Sequence, residues 1–441
     1  MKSFIRRLSV VLLFLPVAAF SKELQDLDLY LLIGQSNMAG RASIEAEDER
    51  VLPGVFLFTN DDSWEVATNP INRFSTVRKQ ISMQRLSLGF SFAEWMSHAE
   101  PDRFIGLISN ARGGTRIEEW APGEELYVEA MERAKAAQKY GTIRGILWHQ
   151  GEGNSRDPNY LEKFAKLVEG MRNDLGDPDL PVVVGQVEGT RPINALLAIV
   201  SEAVPGTAVA LSTNLSTYDG THFDSESLRE FGRRYAVEMA KLRGVKLPET
   251  LGKEGSISLF DGESLEGWEG NRDLFRIEDG AIVGGDLENP APQNEFLCTT
   301  EEFGDFELEI EFKLVGSEMN SGVQFRSQRV PDSREVSGYQ ADLGSPDLWG
   351  SLYDESRRNR LLAASDPSKV ETVLNRDGWN HYRIRAEGPR IQIWINGLQT
   401  VDFTEREDGI AERGIIGLQI HGASSGEAWF RNISLRELDT L

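Results

Sequence analysis

Ser36 stands two residues beyond the glycine that closes an apolar run, a position that suits a nucleophile. The run is Leu27 to Ile33, interrupted only by Asp28, and the stretch reads LDLYLLIGQSNMAG. A run this short and apolar predicts a strand buried on both faces, as in a parallel sheet. Open α/β sheets bind ligands outside the carboxyl ends of their strands, and Ser36 falls at such an end. The same residues also read as a strand-to-helix turn with Ser36 as an N-cap, so the partners decide between the two. A serine nucleophile needs a base, and the chain holds five histidines: His98, His149, His222, His381 and His421. His222 lies in Asp219-Gly-Thr-His222. An Asp three residues ahead in one turn can reach Nδ1–H, fix the tautomer and stabilise the imidazolium.

Acyl chemistry also needs hydrogen-bond donors preset at the developing oxyanion. Two stretches that follow strand candidates offer them. Ala111-Arg-Gly-Gly-Thr115 can bring the N–H of Gly113 or Gly114 close to substrate, and in Trp148-His-Gln-Gly-Glu152 the Gln150 side chain carries an amide. Gln35, Asn37 and Glu152 are expected to support these loops. The alternatives are a plain tight turn at Gly113-Gly114 and a satisfied polar pair of His149 with Glu152. Arg112 can meet a substrate carboxylate or pair with an acid.

Elements that alternate in period must hold these loops. Phe104–Ile108, Ile143–Trp148, Pro181–Val187 and Ala208–Leu211 read as strands. Between them, Leu126–Tyr140, Tyr160–Leu175, Ile193–Val204 and Ser225–Leu242 carry helical spacing, with Ser225 as an expected N-cap. Strands alternating with helices imply a parallel sheet covered on both faces. At 441 residues two domains are expected. The pattern changes at 245–255, a linker with Pro, Gly and charge and no period. Beyond it Phe306–Leu314 alternates without a fault, and Gly322–Arg326, His381–Ala386, Arg390–Ile395, Ile415–Ile420 and Ala428–Leu435 repeat the idea. Asn396-Gly397 marks a hairpin. The second domain is expected at 256–441 as an all-β sandwich or jelly roll.

Composition excludes some functions. The net charge of −23 argues against nucleic acid and makes neutral substrates the easier reading. Residues 1–21 read as a signal peptide, with Lys2, Arg6 and Arg7 ahead of a short apolar core and Ala19-Phe-Ser21 at the cleavage site. The core is too short for a membrane span, so a periplasmic or extracellular protein is expected, with no membrane partner after cleavage. Cys298 is the single cysteine, so no internal disulfide is available, and it reads as a small buried hydrophobe. In the second domain, alternation places Gln324 with Arg326, Gln340 with Asp342, and Gln419 with His421 on shared faces. They are either solvent-facing positions or the lining of a sugar site, with Trp349, Tyr353 and Trp394 at hand for stacking.

Four blocks in order, Gly34-Gln-Ser-Asn-Met-Ala-Gly40, Gly113-Gly-Thr115, Trp148-His-Gln-Gly-Glu152 and Asp219-Gly-Thr-His222, resemble the sialate O-acetylesterase and acetylxylan esterase group of SGNH-type hydrolases. The resemblance covers roughly Leu27 to Leu242, inside a domain bounded at 22–244. It implies a three-layer flavodoxin-like α/β fold and hydrolysis of acetylated carbohydrate. It makes Ser36 the nucleophile, His222 the base and Asp219 its orienting acid. The oxyanion hole then comprises Ser36 N–H, a glycine of the Gly113-Gly114 pair, and Gln150. Neither metal nor other cofactor is implied. Asn110-Ala-Arg112 departs from the family, which more often has small apolar residues there. Further on, Leu259-Phe-Asp-Gly262, Leu265-Glu-Gly-Trp268, Asn320-Ser-Gly-Val323, Gly338-Tyr-Gln-Ala-Asp342, Tyr353-Asp-Glu355 and Phe430-Arg-Asn-Ile433 resemble the 3-keto-disaccharide hydrolases. These are concanavalin-like jelly rolls acting on glycosides oxidised at C3. Arg326, Gln340, Asp342 and His421 are the candidate pocket residues. A non-catalytic carbohydrate-binding module is the alternative for this half.

Overall fold

The computed structural model describes residues 24–248, 251, 255–316, 319–344, 348–422 and 425–438. The signal-peptide reading at 1–21 lies outside them, as do residues 249–250 and 252–254 of the expected linker.

The first domain is built on a seven-stranded sheet. Its strands are β1 (Leu27–Gly34), β2 (Val55–Phe58), β3 (Trp64–Val66), β4 (Ile105–Ser109), β5 (Gly141–His149), β6 (Val182–Gly185) and β7 (Thr207–Ala210), in the spatial order β3-β2-β4-β1-β5-β6-β7. All neighbours are parallel except the β2–β3 hairpin at one edge. From β4 to β7 the order is the flavodoxin-like one, which reverses between β1 and β5. All of β1 is buried, as a central parallel strand must be. Its alternate residues enter two cores. Leu29, Leu31 and Ile33 face a core shared with helices α3 (Glu125–Ala137) and α4 (Tyr160–Leu175). Tyr30 and Leu32 face one shared with α2 (Leu88–Ala99) and α7 (Ser225–Arg243). The result is a three-layer α/β domain. Helix α7 lies close on α2 because Gly232 has no side chain; a Cβ there would sit 2.3 Å from Leu88 O.

Two local expectations change. The α7 cap is Asp224, whose carboxylate accepts from Ser227 N at 2.8 Å, rather than Ser225. The expected helix over Ile193–Val204 is two four-residue pieces, α5 (Asn194–Leu197) and α6 (Val200–Ala203). The chain leaves helical geometry at Ile199 (φ −109°, ψ 16°), although Ile193, Leu197, Val200 and Val204 keep one buried face.

The second domain packs two antiparallel sheets into a jelly-roll sandwich. Its strands are β8 (Ser256–Ser258), β9 (Trp268–Glu269), β10 (Phe275–Glu278), β11 (Ala281–Asp286), β12 (Glu295–Thr299), β13 (Phe306–Val315), β14 (Asn320–Arg329), β15 (Val336–Gly344), β16 (Leu352–Glu355), β17 (Arg360–Ala363), β18 (Asn380–Glu387), β19 (Arg390–Ile395), β20 (Leu398–Thr404), β21 (Ile415–Ile420) and β22 (Gly426–Glu437). One sheet runs β10-β11-β22-β13-β18-β19-β20, with β8 on β22, and the other β17-β16-β15-β14-β21-β12-β9. The Asn396-Gly397 turn joins β19 to β20 with φ of 47° and 85°, as a type I′ hairpin requires. On β13 the apolar positions Phe306, Leu308, Ile310 and Phe312 are buried as the alternation predicts. Glu311 is also buried, because it accepts from Val51 N of the first domain at 2.8 Å and from Arg431 Nε at 2.9 Å. Cys298 is free and buried, and burial pushes its thiol up to about 12. No helix among the described residues is long and apolar enough to cross a membrane.

Candidate active site

At the end of β1, Gly34 turns the chain with φ +125°, and a Cβ there would lie 2.2 Å from His149 O. Gln35 N then donates to that same oxygen at 2.8 Å. The close approach, open only to glycine, ties β1 to β5 up to the residue before Ser36. Ser36 opens the single-turn helix α1 (Ser36–Ala39) at the point where the strand order reverses.

Asn37 docks the His222 turn onto this point. Its Oδ1 accepts from Phe223 N at 3.2 Å, and its Nδ2 donates to Thr221 O at 3.2 Å and to Glu152 Oε1 at 3.3 Å. The bonds on both sides of His222 fix the orientation of the amide. Within the turn, Asp219 Oδ2 and His222 Nδ1 are 2.6 Å apart. Asp219 Oδ1 accepts from the N–H of His222 at 2.7 Å and of Thr221 at 3.0 Å. Burial opposes the charge on Asp219, but the His222 ring and the two backbone donors outweigh it and hold the carboxyl below its ordinary value. The Tyr218 ring stacks on His222, centroids 5.9 Å apart. Nε2 is thereby the imidazole nitrogen left for chemistry. No hydrogen bond joins it to Ser36 Oγ among the described residues; such bonds often form fully only with substrate in place.

The Gly113 loop closes the other side. A Cβ on Gly113 would sit 3.3 Å from Ser36 Cβ and 2.5 Å from Arg41 Nη2. The N–H groups of Ser36, Gly113 and Gly114 make no hydrogen bond among the described residues. Asn72, buried behind this loop, accepts from Ala111 N at 3.0 Å and donates to Ala111 O at 3.1 Å.

Gln150 does not serve as expected. Its Nε2 donates to Thr115 O at 3.1 Å and to Asn154 Oδ1 at 3.0 Å, so neither amide hydrogen is left for an oxyanion. The orientation is fixed because Asn154 Nδ2 is itself held by Glu118 and Asp157. Gln150 ties the Thr115 loop to the end of β5 instead. Gln35, Asn37 and Glu152 do come together: Gln35 Oε1 accepts from Gly151 N at 3.3 Å, beside Glu152. Burial pushes Glu152 up to about 7, opposed by its own backbone amide, the Arg191 charge and bonds from Asn37 and Gln35. His149 does not pair with Glu152. It is fully buried, its Nδ1 meets Tyr235 OH at 3.1 Å, and burial pushes its pKa down to about 3, so it stays neutral.

Two cations stand at the mouth. Arg41 donates to Gly40 O at 2.6 Å and Met83 O at 2.8 Å, and Lys79 Nζ lies 3.2 Å from where a Cβ of Gly114 would be. Arg112 donates to Val77 O at 2.8 Å. None of the three forms an ion pair with a carboxylate among the described residues.

In the second domain, register places Gln324 opposite Gln340, Gln340 opposite Tyr353, and Gly322 opposite both Asp342 and Gln419. These side chains share a face, with Glu355 opposite Gly338. Arg326 leaves it. A bulge between Phe325 and Gln328, with Arg326 at φ +46°, turns its guanidinium away to Gly304 O, Gly388 O and Asp305. His421 stays at the exposed rim, Nδ1 2.9 Å from Gly422 O.

Residues 26–241 match the family described as carbohydrate esterase, sialic acid-specific acetylesterase. Residues 255–436 match the 3-keto-alpha-glucoside-1,2-lyase-like domain. The chain joins a carbohydrate esterase domain to a 3-keto-disaccharide hydrolase-like domain. An Arabidopsis thaliana protein named as a probable carbohydrate esterase is 30% identical over 176 residues, which are 35% of this chain and 66%, just under two thirds, of that relative. A 3-keto-disaccharide hydrolase of Bacteroides thetaiotaomicron is 25% identical over 274 residues, 50% of this chain and 91% of the relative. A solved Arabidopsis thaliana structure covers 49% of this chain and 98% of its own, with 24% identity and a TM-score of 0.44.

In the esterase domain, reasoning from sequence missed Asn72, Asn154 and Arg41. Asn72 acts through Ala111, 39 residues away, and Asn154 joins Gln150, four residues before it, to Ile117, 37 residues away, so no single motif carries the signal. In the hydrolase-like domain it missed Glu355 as a pocket residue, although Tyr353-Asp-Glu355 stood out as a block.

Proposed function

We propose that the chain is an exported carbohydrate-active enzyme whose esterase domain removes O-acetyl groups through a serine acyl-enzyme. The observation that carries this is the Asn37 clamp, which bonds the residues on both sides of His222 and adjoins Ser36. His222 Nε2 takes the Ser36 proton as Oγ attacks the acetyl carbonyl. The N–H groups of Ser36 and of Gly113 or Gly114 receive the oxyanion. The tetrahedral intermediate collapses, the C–O bond to the sugar breaks, and the sugar oxygen takes the proton from the imidazolium. Water, deprotonated by His222, then frees acetate from Ser36. Asp219 holds the tautomer throughout. Arg41 and Lys79, without carboxylate partners among the described residues, support a sugar that bears its own negative charge.

The hydrolase-like domain acts on glycosides oxidised at C3, a reading supported by its family and by the activity named for the Bacteroides relative. The basic start and apolar stretch before Lys22 support export. Acetate release from acetylated carbohydrates by the wild type and by Ser36→Ala tests the esterase reading. Wild-type release with none from the folded variant is expected, and equal release would end it.

A further inference from the structure

The sheet face that carries Gln324, Gln340, Asp342, Glu355 and Gln419 is not the face turned to the sandwich core. Its alternating neighbours Val323, Phe325, Ala341, Leu343 and Leu418 belong to that core. Yet Gln324 and Gln419 are wholly buried and Asp342 is 4% exposed. These polar side chains are thus shielded from water together on one face, beside the apolar cluster of Phe296, Cys298, Val336 and Ile415.

Its side chains are oriented in one direction. Ser327 Oγ donates to Gln324 Oε1 at 2.9 Å, Gln324 Nε2 donates to Gln340 Oε1, and Gln340 Nε2 donates to Asp342 Oδ1 at 2.6 Å. The relay fixes each amide and ends on Asp342. Gln419 Nε2 reaches Glu355 Oε2 at 3.4 Å. A Cβ on Gly322 would meet Gln340 Cδ at 2.5 Å, so the missing side chain makes room for this relay. Two buried oxygens are left over: Asp342 Oδ2 and Gln419 Oε1 have no hydrogen-bond partner among the described residues. Buried polar atoms are rarely left so, and the hydroxyls and oxygens of a sugar can donate to Gln419 Oε1 and accept from a protonated Asp342 Oδ2.

The environments of the two carboxyls differ. Burial pushes Asp342 up to about 7, against the Gln340 hydrogen bond and with the Glu355 charge. Glu355 is half-buried and raised by burial and by Glu335, while Gln419 and His421 favour its charged form. Tyr353 also faces the pair. The two carboxyls share a sheet face but sit in unequal surroundings, Asp342 the more buried and Glu355 beside Gln419 and His421, which suits them to different roles.

We propose that Glu355 is the general base and Asp342 the general acid of a 1,2-elimination on 3-keto glycosides, an assignment that rests on the hydrolase-like domain being catalytic. Glu355 takes the C2 proton, acidified by the C3 ketone, and the C–H electrons form the C2–C3 enolate. The enolate collapses to a C1–C2 double bond, the glycosidic C1–O bond breaks, and the leaving oxygen takes the Asp342 proton. The products are an unsaturated 3-keto sugar and the free alcohol.

The test uses the full chain with p-nitrophenyl and methyl 3-keto-glucosides, following alcohol release and C2 hydrogen exchange in D2O. Glu355→Gln is expected to lose about a hundredfold or more in kcat/KM and to lose exchange at C2. Asp342→Asn is expected to keep exchange and to lose far more activity on the methyl than on the p-nitrophenyl glycoside, which needs no acid. Thermal unfolding of each variant checks that the second domain is folded. Should a variant not fold, the wild-type profile still decides: its alkaline limb is expected near pH 7, and a flat profile from pH 5 to 9 would overturn the assignment. A folded Glu355→Gln with wild-type turnover would overturn it while leaving the lyase reading standing. Sugar binding without any alcohol release by the wild type would overturn that reading and the assignment with it.

Discussion

The serine site and the carboxylate pocket are assembled from different parts of the chain. At the serine site the reacting groups sit on turns beyond the ends of parallel strands, and backbone does much of the holding. His222 is oriented by an Asp three residues away, and the donors proposed for the oxyanion are N–H groups. In the pocket, side chains from the middle of antiparallel strands form a relay of three hydrogen bonds that ends on Asp342. The first arrangement sets the imidazole within one local turn and docks that turn through Asn37. The second depends on register, so one slipped residue removes a member, as the bulge at Arg326 does.

Four substitutions probe the serine site, the first of them against the carboxylate pocket. Ser36→Ala should lower acetate release by roughly 10⁴-fold or more and leave cleavage of a 3-keto glycoside untouched. Loss of both activities would mean that the sites are not independent. Asp219→Asn should cost roughly 10³- to 10⁴-fold in kcat for acetate release with little change in KM, because the wrong imidazole tautomer is favoured. Arg41→Gln should raise KM for a carboxylate-bearing acetylated sugar roughly tenfold and hardly alter that for a neutral aryl acetate.

The smallest effect is on stability. Glu152 has its pKa raised by burial from the usual carboxylate value to about 7. Its contribution is therefore present below about pH 4 and is lost as pH rises through about 7. Glu152→Gln removes that loss while keeping an acceptor for Asn37. The variant should gain on the wild type between pH 5 and pH 8.5 by about 3 kcal/mol at most, read as a change in their difference in Tm. A constant difference would place the proton elsewhere.

The same contrast explains what could be read from sequence. The α/β order, helix α4, the jelly roll and the Asp219–His222 bond follow from short-range pattern. Gln150 was expected to donate to an oxyanion because it lies on the right loop; its two hydrogen bonds run to Thr115 and Asn154, which its neighbours in sequence do not announce. Arg326 was expected beside Gln324 from strict alternation, which a single left-handed residue breaks. The net charge of −23 suggested neutral substrates, whereas Arg41 and Lys79 stand beside Gly113 and Gly114 with no carboxylate partner among the described residues. Whole-chain charge averages over surfaces that a substrate never meets.

The most direct measurement follows acetate and alcohol release together, from one preparation each of the wild type, Ser36→Ala and Glu355→Gln. Two independent sites predict that Ser36→Ala loses only acetate release and Glu355→Gln loses only glycoside cleavage. Acetate release by folded Ser36→Ala at the wild-type rate would contradict the account.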